Sequence, residues 1–154
     1  MKPEDDQERL NRNVNELLQE LRVAQAGVQI LFGFLLAVVF TEVYARASVF
    51  QRGVHLVTML FAAASVALFT TPVAWHRLLF RHGQRPVIIR VANRMSVAGL
   101  GCLAATMTGT VLLVTNVVLG GWPSVLITVL VAAAFGLVWF LLPLRIRAGV
   151  APER

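Results

Sequence analysis

Apolar residues fall in four long runs separated by short polar stretches, and this alternation is the dominant pattern in the chain. The runs cover about 23–43, 54–75, 95–119 and 124–144. Each reaches the roughly 20 residues that an α-helix needs to cross the hydrocarbon of a bilayer. Only Gly120-Gly121-Trp122-Pro123 connects the third run to the fourth, so these two helices are expected to form an antiparallel hairpin. Pro123 suits the first turn of the fourth helix, where a missing N–H leaves nothing unsatisfied. The pattern predicts an all-α protein, a four-helix transmembrane bundle spanning about 23–144.

A different pattern precedes the first run. Leu10, Val14, Leu17, Leu21, Ala24 and Val28 recur at alternating spacings of four and three, which is the seam of a heptad helix. Glu8, Arg12, Asn15, Glu16 and Gln19 fall off the seam. One helix is predicted from about Glu8 through Val43, with residues 1–22 as a helical cytoplasmic N-terminal extension. Two uses of the seam stay open. It docks on the chain's own helix ends or on lipid headgroups, or it forms a short coil in a homo-oligomer. Between the second and third runs, helix is expected to continue to about Arg81. Gly83 ends it and Pro86 opens the next, leaving a tip of about His82–Arg85.

Composition narrows the class. Of 154 residues, 57% are hydrophobic and 14% charged, and the mean hydropathy is +0.71. Soluble domains average about 45–50% apolar and about 25% charged. The balance excludes a disordered chain, a disulfide scaffold and an ordinary soluble enzyme. The single cysteine, Cys102, cannot form an internal disulfide and reads as a small packing residue. The first 22 residues hold six acids and no apolar core, so no secretory signal is expected.

Net charge +6 would point a soluble protein toward nucleic acid. Here the basic residues flank apolar runs, so no nucleic-acid partner is expected and the charge reads as topology. Twelve of the 14 Lys and Arg residues lie on one side, in 1–22, in the 75–94 loop and in the 145–154 tail. Only Arg46 and Arg52 lie on the other. Basic loops stay cytoplasmic, which places both termini there. Trp75 and Trp139 fall near the inner boundary, and Tyr44 and Trp122 near the outer, where aromatic rings anchor at headgroup level. Arg77, Arg81, Arg85, Arg90 and Arg94 are candidate contacts for anionic lipid headgroups or a partner. Glu16 or Glu20 is expected to pair with one of Arg77, Arg81, Arg90 and Arg94.

Polar residues within spans are the usual functional pointers. Gln25 and Gln29 lie one turn apart on the first helix, Asn116 ends the third, and Glu42 is the one acid near a span. The glutamines are expected to bond across helices. Threonines and serines can satisfy themselves on their own helix backbone and are weak signals. Gly101, Ala105 and Gly109 form a small-residue ridge on the third span, widened by Ala98, Gly99, Cys102 and Ala104. Ala62 to Ser65, Ala132 with Gly136, and Gly27 with Gly33 offer similar surfaces on the other helices. His55, His76 and His82 lack the spacing of metal ligands, and His55 is placed at the outer surface. No catalytic set, metal site or cofactor loop is visible.

Four stretches carry a resemblance: Asn15–Leu36 (NELLQELRVAQAGVQILFGFLL), Thr71–Arg81 (TPVAWHRLLFR), Ala92–Leu100 (ANRMSVAGL) and Thr108–Gly120 (TGTVLLVTNVVLG). From about Leu10 to Gly120 the chain resembles a bacterial domain-of-unknown-function family of small four-span proteins, frequent in high-GC Gram-positive bacteria. Some members carry a sodium:proton antiporter label. The resemblance implies the bacterial cytoplasmic membrane and transfers no catalytic or binding residues. This chain has Ala26 where the family often has proline, which favours an unbroken first helix. It has Asn116 where the family often has aspartate, which removes an intramembrane acid that antiport would use. The expected function is non-enzymatic: a structural or regulatory, self-associating membrane subunit. The alternative is a component that passes a small cation or proton.

Overall fold

The computed structural model describes the backbone of residues 3–79 and 85–149. Side chains are described from Leu21 to Pro72 and from Asn93 to Ile146, with Arg12, Gln19, Ala74 and Val91 besides. The chain is a helical bundle, with no strand among the described residues. Its elements are α1 (Pro3–Val38), α2 (Glu42–Ala45), α3 (Val49–Leu79), α4 (Arg85–Val118), α5 (Gly121–Phe135), a π-helical segment (Gly136–Leu141) and α6 (Leu142–Gly149). Four stretches are long and apolar enough to cross a membrane: Leu21–Val38, Val49–Pro72, Asn93–Val118 and Gly121–Ile146.

α1 runs unbroken for 36 residues, about 54 Å at 1.5 Å per residue. It stops at Val38, short of the expected Val43. The Thr41 hydroxyl donates to the Val38 carbonyl at 2.7 Å and accepts from the Tyr44 N–H at 3.3 Å. One side chain thus closes α1 and caps the single turn of α2. α3 starts at Val49, earlier than the expected 54. Ser48 and Gln51 form a reciprocal capping box: the Ser48 N–H donates to Gln51 Oε1 at 2.9 Å, and the Gln51 N–H to Ser48 Oγ at 3.2 Å. The α4–α5 turn needs its glycines. Gly120 and Gly121 have φ of +64° and +53°, a region that side chains with a Cβ rarely enter.

Two prolines lie inside membrane-length helices. Pro72 is buried within α3 and removes the N–H that would meet the Leu68 carbonyl. The threonines just before it donate to their own helix, Thr70 to Val66 O at 2.6 Å and Thr71 to Ala67 O at 2.8 Å. Pro143 follows the π segment. Its ring would crowd the carbonyl four residues back. The widened turn relieves that, and the Leu142 N–H bonds five residues back to Leu137 O. The expected tip around His82–Arg85 lies outside the described residues, except for the Arg85 backbone that opens α4.

Packing divides the chain into two compact units. The first holds Met1–Arg46 and Met59–Leu103. In it α1 buries Leu21, Val28 and Leu35, seven residues apart, so the buried stripe keeps the heptad seam of the sequence. The second holds Ala47–Thr58 and Ala104–Arg154. There α5 is apolar on every side, and among its residues only Ser124 is buried. Phe135 and Trp139 meet edge to face with centroids 4.8 Å apart.

Candidate functional site

The polar residues that the structure buries are concentrated on α3 and α4. α3 buries His55, Thr58, Ala62, Ser65, Phe69 and Pro72, at alternating spacings of three and four. α4 buries Ser96, Gly99, Leu103 and Thr106 in the same rhythm. This is a coiled-coil seam with hydroxyls and glycine at positions that leucine would fill in water. Within lipid, apolar burial no longer draws helices together, and close approach and hydrogen bonds do so instead.

In the first unit, Ser65 is fully buried and its hydroxyl donates to the Gly99 carbonyl at 2.9 Å. Gly99 lies against Phe69, which is also fully buried. A Cβ at Gly99 would stand 2.6 Å from Phe69 Cε1, so only glycine lets the ring and the α4 backbone meet. Further along α3, Gln25 Nε2 of α1 donates to Thr70 Oγ1 at 3.4 Å. Thr70 has already donated its proton to Val66 O, so it is well set to accept.

In the second unit, a Cβ at Gly109 would fall on the Thr58 hydroxyl. Thr58 is 2% exposed and donates to Val54 O at 2.7 Å. Gln51 Nε2 donates to Asn116 Oδ1 at 3.0 Å. The amide that caps α3 thereby also ties it to the end of α4. His55 is 3% exposed and is the one titratable side chain buried among the described residues.

The placements differ in part from the sequence expectations. Gln25 does bond across helices, but Gln29 is exposed. Glu42 is exposed in the first turn of α2. Asn116 has a partner, Gln51, which the sequence reading did not single out. Gly99 and Gly109 make close approaches on α4, and Gly101 and Ala105 are half-buried. Gly27, Gly33 and Gly136 have nothing within 4 Å of a built Cβ among the described residues. His55 is buried in the α3 seam. The alternating three-and-four spacing from His55 to Pro72 was the signal that marks it. Most threonines back-bond to their own helix, as at Thr110, Thr115 and Thr128. Arg94 is exposed. The side chains of Glu16, Glu20, Arg77, Arg81, Arg85 and Arg90 lie outside the described ones. No group that could hold a metal ion is found among the described residues.

A family of unknown function (DUF6328) matches residues 3–143. The chain belongs to this family. The match takes in all of α1 and reaches Pro143, so it covers the fourth apolar stretch as well as the motifs of the first three. No curated protein and no solved structure matches the chain. In this DUF6328 member the buried seam uses no charged side chain among the described residues; its chemistry is that of hydroxyls, carboxamides and one imidazole.

The Gln51–Asn116 contact makes a specific prediction. Asn116 uses its carbonyl oxygen here, as acceptor. Asn116→Asp keeps an acceptor in place and is expected to retain the tie. Asn116→Leu leaves the Gln51 amide without its acceptor and is expected to cost about 1–2 kcal/mol. Thermal unfolding of the two variants in detergent checks the order; equal stability would refute it.

Proposed function

We propose that this protein is a non-enzymatic, self-associating bundle of the bacterial inner membrane, serving as a structural or regulatory subunit with both termini in the cytoplasm. The observation that carries this reading is the contrast between its helices. α3 and α4 close on each other through hydroxyls and glycines. The fourth membrane-length stretch is apolar all round, and α5 buries only Ser124. Such a helix adds little to its own core and presents Val125, Val129, Leu130 and Val138, each more than half exposed, to lipid or to a partner. The arginine-rich flank supports the orientation and would contact anionic headgroups, at about 1 kcal/mol per basic residue.

Fusions of a fluorescent and a periplasmic reporter to the C-terminus test the orientation. Fluorescence without periplasmic activity is expected; the reverse would invert the topology. Mass measurement in native lipid tests self-association, and a monomer would end that part of the reading.

One observation favours a second reading, a component that passes a proton or small cation. His55 is buried on a membrane-length helix, one turn from Thr58 and one turn from Gln51, which bonds Asn116. Buried ionisable groups within membrane spans commonly lie on proton or ion pathways. Flux by purified protein in liposomes decides between the two. Proton-coupled sodium flux abolished by His55→Gln would overturn the structural reading.

A further inference from the structure

We infer that the cytoplasmic end of α1, from Pro3 to about Leu17, is a parallel coil that pairs with the same segment of a second copy of this chain. The inference rests on the self-association proposed above and names its surface.

Two contacts set the relative heights of the helices in the first unit. Gln25 meets Thr70 and Ser65 meets Gly99. A chain that crosses a bilayer reverses at each crossing, so α1 runs opposite to α3 and alongside α4. Counting residues from these two contacts, Leu79 at the end of α3 stands level with Glu16 of α1. Arg85, the start of α4, also stands level with Glu16. From there α1 continues to Pro3, about 20 Å at 1.5 Å per residue. By this count α3 and α4, as far as they are described, both end level with Glu16.

The stretch is not built to stand alone. Val14 lies seven residues before Leu21 in the stripe Leu21, Val28 and Leu35 that the bundle buries, and Leu10 and Leu17 hold the other seam position, whose later members Ala24 and Leu31 are half-buried. The stripe therefore continues past its own partners, and what covers it must match a heptad seam.

Charge chooses the occupant. Glu4, Asp5, Asp6 and Glu8 stand at the free end, where they favour the N-terminus of the helix and are repelled by an anionic leaflet. That argues against the segment lying on the membrane. The positions flanking the seam between Leu10 and Leu17 include Asn11 and Asn13, which set no like charge against a second copy. Two copies in one membrane project their extensions from the same face, so the pairing is parallel. The seam is short for a free coil, but anchoring in a shared bilayer raises the effective concentration.

Single-cysteine variants of the full chain in a Cys102→Ser background test this in membranes. Leu10→Cys, Val14→Cys and Leu17→Cys stand on the axis of a parallel pair. Arg12→Cys, Asn15→Cys and Gln19→Cys stand off it. Mild oxidation is expected to yield disulfide dimers several-fold more at the first three positions. Equal or absent cross-linking overturns the inference. Mass in native lipid separates that failure from failure of the wider reading. Oligomers that persist without seam cross-links place self-association elsewhere, whereas monomers end both. Leu10→Asp with Leu17→Asp is expected to abolish the dimers while membrane insertion persists; dimers that survive this change also overturn the inference.

Discussion

Replacing Phe69 with alanine is expected to destabilise the protein by about 3–5 kcal/mol, the usual range for emptying a buried aromatic site. Phe69 is fully buried, and its ring edge lies on the backbone of Gly99. Water entering a membrane does nothing to offset the loss, because the contacts at stake are those of close packing. Gly99→Ala strikes the same contact from the other side. Its new methyl group would lie 2.6 Å from Cε1 and 2.8 Å from Cδ1 of the ring. A ring with no exposed surface cannot step aside, so overpacking of about 1–3 kcal/mol is expected. The two effects are coupled. Combined with Phe69→Leu, Gly99→Ala should cost clearly less than the sum of the single changes. Unfolding temperatures of the four proteins in one detergent give the cycle; simple additivity would show that ring and glycine do not share a contact.

Gly109→Val is the second large effect. The new Cβ would meet Oγ1, Cβ and Cγ2 of Thr58 together, the two carbons at 3.2 Å. Thr58 cannot turn away, since its hydroxyl is bonded to Val54 O and its side chain is enclosed. Helix separation is the only relief, and loss of folded protein is expected. Gly109→Ala is milder, and Thr58→Ala should rescue part of it by removing both γ atoms. Gly27→Ala and Gly33→Ala are the controls. Nothing lies near either site, and alanine favours helix over glycine by about 1 kcal/mol. The ratio of monodisperse to aggregated protein after extraction reads all five variants. A Gly109→Val protein as well behaved as the controls would remove the basis for a close α3–α4 approach.

The membrane-crossing count and the helical class were legible because they depend on length and apolarity alone. The unbroken α1 was legible too, from Ala26 and the seam. The ends were less so. α1 stops where the Thr41 hydroxyl serves two backbone groups, and α3 begins where Ser48 and Gln51 cap each other. Such local hydrogen bonds end a helix within a still apolar run. The site was harder. A ridge of small residues at spacings of four reads as the contact face, but the facing ring of Phe69 and hydroxyl of Thr58 decide which glycines are needed. Those partners are on another helix, and a single helix does not reveal its neighbour. That His55 is buried in the α3 seam was hidden for the same reason.

The π turn before Pro143 has a consequence for the tail. A segment bonded five residues back holds one residue more than the regular turn it replaces. Each residue of an α-helix advances by about 100° around the axis. Everything beyond Leu141 is therefore rotated by about that angle from where an uninterrupted helix would carry it. Arg145 and Ile146, both exposed, take their azimuth from this phase change. Removing a single residue such as Val138 would restore the ordinary pitch and leave Arg145 on the side it now occupies, whereas a regular α-helix through all the residues would carry it to another.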